Sequence, residues 1–197
     1  MGRGSSKVGG GGGSFKLIEN ARKFGTADKA DAFFGDNLKE LTGKEKDALS
    51  WYTGSAYASF NEALRKGEPI HPNRLKSMDD AMAKSVLTEP ITLSRGSSAD
   101  LLGFKSTPSV AELKNLIGGE FVDKAFVSTS AKSGGGFSGD IGYRITVPPG
   151  KGRGQYIKSI SHFKSETEFL LNRNTKFRVT SVSGTDSYPI VHLQVVD

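Results

Sequence analysis

The amino-acid pattern of this 197-residue chain changes at Pro90, and that change limits the folds open to it. Between Phe15 and about Thr88, apolar residues recur at spacings of three and four, as on one face of a helix. They include Leu17, Ile18, Ala21 and Phe24, and then Leu49, Tyr52, Ala56 and Phe60. After Pro90, short segments rich in Val, Ile, Phe, Tyr and Thr are separated by glycine or proline, which is typical of strands and turns. Helices followed by strands predict an α+β fold with a mainly antiparallel sheet.

Local signals place the ends of several predicted elements. Thr42 with Glu45 three residues later predicts a capping box at a helix start. Gly54 is expected to break the next helical segment, and Gly67 with Pro69 to end it. The other predicted elements are helices from Arg74 to Leu87 and from Ser109 to Ile117, and strands at 91–96, 125–130, 141–147, 154–160, 167–171, 176–182 and 188–196.

Composition indicates one domain behind a tail. Residues 1–14 are glycine- and serine-rich without the apolar stretch of a signal peptide, and we expect a flexible tail there. The hydrophobic fraction of 36% can supply a core, so residues 15–197 are predicted to form a single domain. Its helical part covers residues 15–89 and its β-rich part residues 90–197.

Several classes of protein and site are excluded by residue type. The chain has no cysteine, which rules out disulfides, thiol nucleophiles and cysteine zinc sites. Its three histidines, His71, His162 and His192, are isolated, so no metal site is expected. No apolar run approaches the ~20 residues that span a bilayer. The net charge of +6 suits an anionic partner, whether nucleic acid, a phosphorylated cofactor or an acidic protein surface.

Two motif-like segments are set aside. Residues Gly134 to Gly139 satisfy the G-x-G-x-x-G spacing, but a dinucleotide-binding loop needs a helix directly after it. Here a strand is predicted at 141–147, so the match is interpreted as accidental. The basic segment from Lys151 to Lys158 could contact a nucleic-acid backbone, and we favour a solvated turn.

Three polar features on predicted strands suit one reaction. They are Arg95, Ser128 in a Ser-Thr-Ser sequence, and the pair Glu166 and Glu168. Side chains two apart in a strand share a face, about 6–7 Å apart, so both glutamates are expected to face one cleft. Two carboxylates about a glycosidic carbon can stabilise an oxocarbenium-like centre and activate an attacking group. An arginine fork suits a cofactor phosphate, and Ser128 could hold a glutamate by a hydrogen bond.

The order Arg95, Ser128-Thr129-Ser130 and Glu166-Thr167-Glu168 resembles the signature of mono-ADP-ribosyltransferases. The similarity is to the enzymatic components of clostridial binary toxins such as iota toxin and to phage-encoded transferases, and it runs from about residue 35 to the C-terminus. It implies N-terminal helices packed on a mainly antiparallel β-sandwich, with NAD in the cleft between them. It also implies transfer of ADP-ribose from NAD to a protein side chain, with arginine expected as the acceptor, and release of nicotinamide.

The resemblance assigns roles to the signature residues. Arg95 would contact the phosphate and ribose of NAD, and Gly96 would offer backbone hydrogen bonds to the nicotinamide amide. Ser128 would position Glu168, which would bind the ribose hydroxyl and stabilise the oxocarbenium. Glu166 would engage the guanidinium of the acceptor.

Aromatic and amide residues receive further roles from the same resemblance. Phe163 would recognise the substrate, and Phe137 would pack against nicotinamide. Tyr52, Tyr57 and Asn61 would line the NAD cleft from a helix. The two tyrosines could instead be core residues.

The resemblance implies NAD as co-substrate, no metal and an unidentified protein acceptor, with nucleic acid not expected as a partner. A soluble monomer is expected, either a delivered toxin or effector or a phage-associated protein. Two alternatives stay open: an NAD glycohydrolase with water as acceptor, and a non-enzymatic phage or interaction module on the same scaffold.

Overall fold

The helices come first in the computed structural model, which describes residues 15–135 and 138–197. They are α1 (Ala27–Phe34), α2 (Gly43–Trp51), α3 (Tyr57–Lys66), α4 (Pro72–Ala83) and, later in the chain, α5 (Val110–Lys114). The predicted capping box is confirmed, because Thr42 and Glu45 exchange side-chain and backbone hydrogen bonds at the start of α2. Gly67 ends α3 in the left-handed conformation that glycine tolerates best.

The strands follow, seven of them at positions that the sequence predicts and three short ones, at 86–87, 120–123 and 150–151, that it does not. They are β1 (Val86–Leu87), β2 (Ile91–Ser97), β3 (Glu120–Asp123), β4 (Val127–Ser130), β5 (Ile141–Val147), β6 (Gly150–Lys151), β7 (Gly154–Tyr156), β8 (Glu168–Leu171), β9 (Thr175–Thr185) and β10 (Tyr188–Val196). Eight of them form a sheet in the order β3-β9-β10-β5-β2-β4-β8-β7, and β1 pairs with β6. Within the eight-stranded sheet, β10 and β5 pair in parallel and the other neighbours are antiparallel, so the α+β prediction is confirmed.

A narrow junction divides this sheet in two. β2 pairs with β5 over seven residues, whereas β2 and β4 share one pair, Ser94 with Ser130. One part therefore contains β3, β9, β10, β5 and β2, and the other contains β4, β8 and β7. Arg95 lies on the first part and Ser128 and Glu168 on the second, so the candidate residues meet where the two parts join.

Two cores hold the layers together. The larger contains inward side chains of the main strands, such as Leu93, Tyr143 and Val191, with Phe24 before α1. The second joins α2, α3 and α4 to Phe126 and Leu170 on the smaller part of the sheet. The helical layer is therefore fixed directly behind β4 and β8.

The predicted helix over the first residues is wrong. Residues 15–24 are extended or irregular, and Arg22 and Phe24 form isolated bridges with Ile91 and Lys132. Leu17 is 49% exposed, so the apolar spacing there reflects scattered contacts and no helical face. The helix predicted to reach Leu87 ends at Ala83, and Val86 is exposed on β1.

Candidate active site

Glu168 is the first residue of β8 and is buried, with 3% of its surface exposed. It lies opposite Ser130 of β4, and its Oε2 accepts a hydrogen bond of 3.2 Å from the Ser161 hydroxyl. Burial raises the pKa of Glu168 to about 7, and the neighbouring Glu166 charge adds to the rise. Hydrogen bonds from Ser128 and Ser161 and the charge of Arg95 oppose it. This carboxyl can therefore change its charge near neutral pH.

Arg95 lies in β2 and points across the junction toward β4. Its Nη1 donates a hydrogen bond to the backbone carbonyl of Ser128. Burial lowers the pKa of Arg95 from its usual value, but a guanidinium stays charged at any physiological pH. The adjacent Gly96 is buried and pairs with Gly142 of β5, so two residues without side chains lie next to the arginine. The arrangement places a fixed cation beside a bare stretch of backbone.

Tyr52 and Asn61 support Ser128 from the helical layer. Tyr52 is fully buried, and its hydroxyl accepts a hydrogen bond of 2.7 Å from Asn61 Nδ2. The same amide donates to the Phe126 carbonyl at 3.2 Å. Tyr52 also hydrogen-bonds Ser128, and burial raises the pKa of its phenol to about 12, so it stays neutral. Tyr52 is thus a core residue that reaches the site through Ser128.

Tyr57 differs from Tyr52 in burial. It starts α3 and is 51% exposed, so it is not part of the core.

Glu166 does not lie on a strand. Lys164–Glu166 form a 3₁₀ turn, and Thr167 takes the left-handed conformation with φ of 53°, so the predicted strand starts one residue late, at Glu168. The expectation that both glutamates share a strand face is therefore wrong. Glu166 is half-buried, and burial raises its pKa. The two carboxylates are still close enough for Glu166 to raise the pKa of Glu168.

Phe163 precedes this turn and is 52% exposed. Its backbone N–H donates to the Ser161 hydroxyl at 3.1 Å, and its carbonyl accepts from the Glu166 N–H at 3.0 Å. We refer to residues 161–167 as the 161–167 turn. Its outer surface presents Phe163, and its inner end reaches Glu168.

A distortion between α2 and α3 also holds this turn. Residues 52–56 form a π-helical segment in which Gly54 leaves helical geometry, with φ of −80° and ψ of −142°. The Thr53 hydroxyl there accepts a hydrogen bond of 3.0 Å from the His162 N–H. Ser161, Thr53 and His162 were missed by sequence reasoning, since a single Ser, Thr or His carries no pattern. The predicted break at Gly54 is confirmed.

Three glycines before β5, Gly134, Gly135 and Gly139, lie close to β2 and β4. The Gly134 N–H donates to the Ser94 hydroxyl at 3.3 Å, and a Cβ on Gly135 would come within 2.5 Å of Ser130 Oγ. A Cβ on Gly139 would overlap the backbone of Ser97. These close approaches explain Gly135 and Gly139, and the chain after Gly139 enters strand β5, as predicted, rather than a helix. Phe137 lies outside the described residues.

Metal and membrane sites find no support in the described ranges. Within residues 15–135 and 138–197 no group of three or more His, Cys, Asp or Glu side chains could hold a metal ion. Over the same part of the chain, no helix combines the length and hydropathy needed to cross a membrane.

The basic segment from Lys151 to Lys158 has a contact within the protein, since Lys158 forms an ion pair with Asp31 of α1.

Comparisons with known proteins agree with this geometry. The sequence model of the ADP-ribosyltransferase exoenzyme family matches residues 30–192. The chain is 32% identical over 172 residues to the NAD(+)--arginine ADP-ribosyltransferase EFV of Enterococcus faecalis, a match that covers 82% of this chain and 33% of that protein. It is 30% identical over 189 residues to the mono-ADP-ribosyltransferase C3 of Hathewaya limosa, covering 85% of this chain and 72% of that protein.

The fold has close structural counterparts. The crystal structure of C3stau2 from S. aureus with NAD superimposes on this fold with a TM-score of 0.78 at 20% identity. The match covers 91% of this chain and 100% of that chain. The chain spans about a third of the length of the Enterococcus relative, 33%. Because the family model matches most of its length, the chain belongs to the ADP-ribosyltransferase exoenzyme family.

Proposed function

We propose that this protein transfers ADP-ribose from NAD to an arginine side chain of an acceptor protein and releases nicotinamide. The observation that carries the proposal is the buried Glu168, held by serine hydroxyls beside Arg95 at the junction of the sheet. The names of the relatives support the same reaction, since one is an arginine ADP-ribosyltransferase. One structural neighbour was crystallised with NAD.

The donor side of the reaction uses the strand-borne residues. The bond between C1′ of the nicotinamide ribose and the pyridinium nitrogen breaks, and its electron pair leaves with nicotinamide, which becomes neutral. Positive charge then develops on the ribose, where the Glu168 carboxylate would stabilise it and accept a hydrogen bond from a ribose hydroxyl. Arg95 would bind the phosphate and ribose, and the backbone of Gly96 the nicotinamide amide.

Residues around the donor side would hold it in place. In this proposal Ser128 positions Glu168, and the buried Tyr52 and Asn61 support Ser128 from the helical layer. Tyr57, which is 51% exposed, would contact NAD directly. Phe137 would pack against the nicotinamide ring. The chemistry described needs no metal.

The acceptor side would use the 161–167 turn. Exposed Phe163 would pack against the acceptor, and Glu166 would pair with the guanidinium. Attack by a guanidinium nitrogen on C1′ would form the new bond, and the nitrogen would lose a proton to Glu166. The raised pKa of Glu166 favours that step, since it makes the carboxylate a stronger base.

An NAD glycohydrolase is the second candidate, because water could replace the guanidinium without changing the donor side. Half-exposure of the 161–167 turn leaves that route open to solvent. The two functions differ in whether an arginine analogue such as agmatine takes up ADP-ribose.

The test is to incubate the protein with labelled NAD, with and without agmatine, and to measure nicotinamide release and labelled agmatine. The proposal expects both products from the native protein and neither from Glu168→Gln. Glu40→Gln makes the same chemical change at an exposed position and should behave as the native protein. Nicotinamide release without labelled agmatine would favour the glycohydrolase, and no release at all would contradict both functions.

A further inference from the structure

The side chain of Ser161 connects two parts of the site that the sequence pattern treats separately. Its hydroxyl donates to Glu168 Oε2 at 3.2 Å and accepts the Phe163 backbone N–H at 3.1 Å. A hydroxyl has one proton and two lone pairs, so it can make both bonds at once. Ser161 is 3% exposed, so water does not readily replace either bond.

The two hydrogen bonds of Ser161 lead to different parts of the site. Glu168 is the first residue of β8 and faces the junction of the sheet, whereas Phe163 starts the exposed turn that carries Glu166. The Phe163 carbonyl in turn accepts the Glu166 N–H at 3.0 Å. One hydroxyl therefore fixes where the turn begins and where the buried carboxylate points.

We propose that Ser161 is a positioning residue that sets the geometry of Glu168 and of the 161–167 turn together. The inference rests on the proposed function, in which Glu168 acts on the ribose and the turn receives the acceptor. Ser161 would keep Glu168 and the 161–167 turn aligned with each other. This alignment matters because the arginine nucleophile reaches C1′ only when the turn and the carboxylate keep a fixed separation. Without Ser161, we expect ADP-ribose to be transferred to water more often and to arginine less often.

The electrostatic part of the proposal depends on the charged and titratable groups that act on the Glu168 carboxyl. These are Arg95 from β2, Tyr52 from the helical layer and Glu166 from the turn, with the hydroxyls of Ser128 and Ser161. Removing the Ser161 hydroxyl takes away a hydrogen bond that favours the charged carboxylate and leaves the other groups in place. We therefore expect the titration midpoint of Glu168 to rise by about one pH unit in Ser161→Ala.

Two measurements test the coupling without requiring turnover. The first is the titration of the Glu168 carboxyl carbon by ¹³C NMR, assigned with Glu168→Gln. The second is hydrogen exchange of the Phe163 amide. Ser161→Ala should raise the midpoint by about one unit and speed exchange by about tenfold or more, while Ser161→Thr, which keeps the hydroxyl, should restore both. Ser159→Ala removes an exposed serine before the same turn and should move neither.

Each outcome decides the proposal. The proposal is supported if Ser161→Ala changes both the Glu168 titration midpoint and the Phe163 exchange rate relative to Ser159→Ala. It is overturned if only one of them, or neither, changes. If Ser161→Ala does not fold, Ser161→Cys keeps the volume with a weaker donor and is scored in the same way. If the native protein cleaves no NAD, the proposed function fails, and the titration and the exchange still decide the role of Ser161. If NAD is cleaved, the ratio of agmatine modification to hydrolysis should fall at least threefold in Ser161→Ala.

Discussion

The two glutamates of the Glu-x-Glu sequence are two residues apart and have different surroundings. Glu168 begins a strand, is 3% exposed and has a pKa raised by burial to about 7. Glu166 ends a 3₁₀ turn, is half-buried and lies three residues after the exposed Phe163. Thr167, with φ of 53°, separates the two environments.

This difference indicates a division of work. A buried carboxylate on a rigid strand is suited to a charge that must be stabilised at one fixed point, the ribose. A carboxylate on an open turn is suited to a partner that arrives from solvent. Substitutions on the strand side and on the turn side should therefore have separable effects.

The largest effect is expected from Glu168→Gln. It keeps the size of the side chain and removes the charge opposite the ribose, so NAD cleavage should fall by about 10²–10³-fold or more. Nicotinamide release measures the rate, and calorimetry should show a much smaller change in NAD affinity. Turnover near that of Glu40→Gln would remove Glu168 from the reaction.

The next effect concerns Arg95→Lys, also on the strand side. Lysine keeps the charge and loses the planar fork, including the geometry that reaches the Ser128 carbonyl. NAD binding should weaken by about 10- to 100-fold, measured by calorimetry. Arg74→Lys makes the same exchange on α4, where the half-buried guanidinium lies over the Trp51 ring, and serves as the control. Equal affinities in the two variants would place Arg95 outside the NAD site.

The pH dependence should follow Glu168. Its ionised form is the active one, so kcat/KM for NAD should fall about tenfold per unit as the pH drops below about 7. A profile that is flat between pH 5 and 8 would show that another group limits the reaction.

The same raised pKa has a consequence for stability. The folded state holds the Glu168 proton more tightly than the unfolded state, so ionisation opposes folding. The free energy of unfolding should therefore decrease as the pH rises from the ordinary glutamate value of about 4.5 to about 7, with a maximum cost of about 3 kcal/mol above that range. Glu168→Gln should remove this dependence and be more stable than the native protein at pH 8. Denaturation at several pH values measures this, and the same pH dependence of the free energy of unfolding in both proteins would contradict the prediction.

The smallest effect is expected from Phe163→Ala on the turn side. The ring is 52% exposed, so its loss should change the free energy of unfolding by only about 0.5 kcal/mol or less. NAD hydrolysis should stay the same, while modification of a protein acceptor should decrease severalfold. Thermal melts and the two activities measure this, and an equal loss of both activities would link Phe163 to the donor side.

Elements with local signals were predictable from the sequence. The Thr42–Glu45 capping box, the Gly67 helix end and strands β5 and β10 follow the predicted positions, because capping groups, glycine and alternating apolar residues act over a few neighbours. Residues 15–24 were wrongly predicted as helical because their partners, Ile91 and Lys132, are distant in sequence. Strand β3 was missed for a similar reason, since it forms only against the far edge of β9.

The site shows the same limit. Its signature residues could be found from their order, but the left-handed Thr167 could not, since threonine disfavours that conformation and the surrounding structure imposes it. The bonds from Ser161 to Glu168 and from His162 to Thr53 also depend on how the turn folds back. Sequence pattern therefore located the chemistry and missed the geometry that separates the two glutamates.

Glu166→Gln tests the division of work most directly, when protein-arginine modification and NAD hydrolysis are measured on one preparation. A neutral amide can neither pair with a guanidinium nor accept its proton, so modification should be lost. Hydrolysis needs only water and Glu168, so a substantial fraction should remain. If both activities fall to the level of Glu168→Gln, the two glutamates act together on the donor side and the account is wrong. If neither changes, Glu166 has no part in binding arginine.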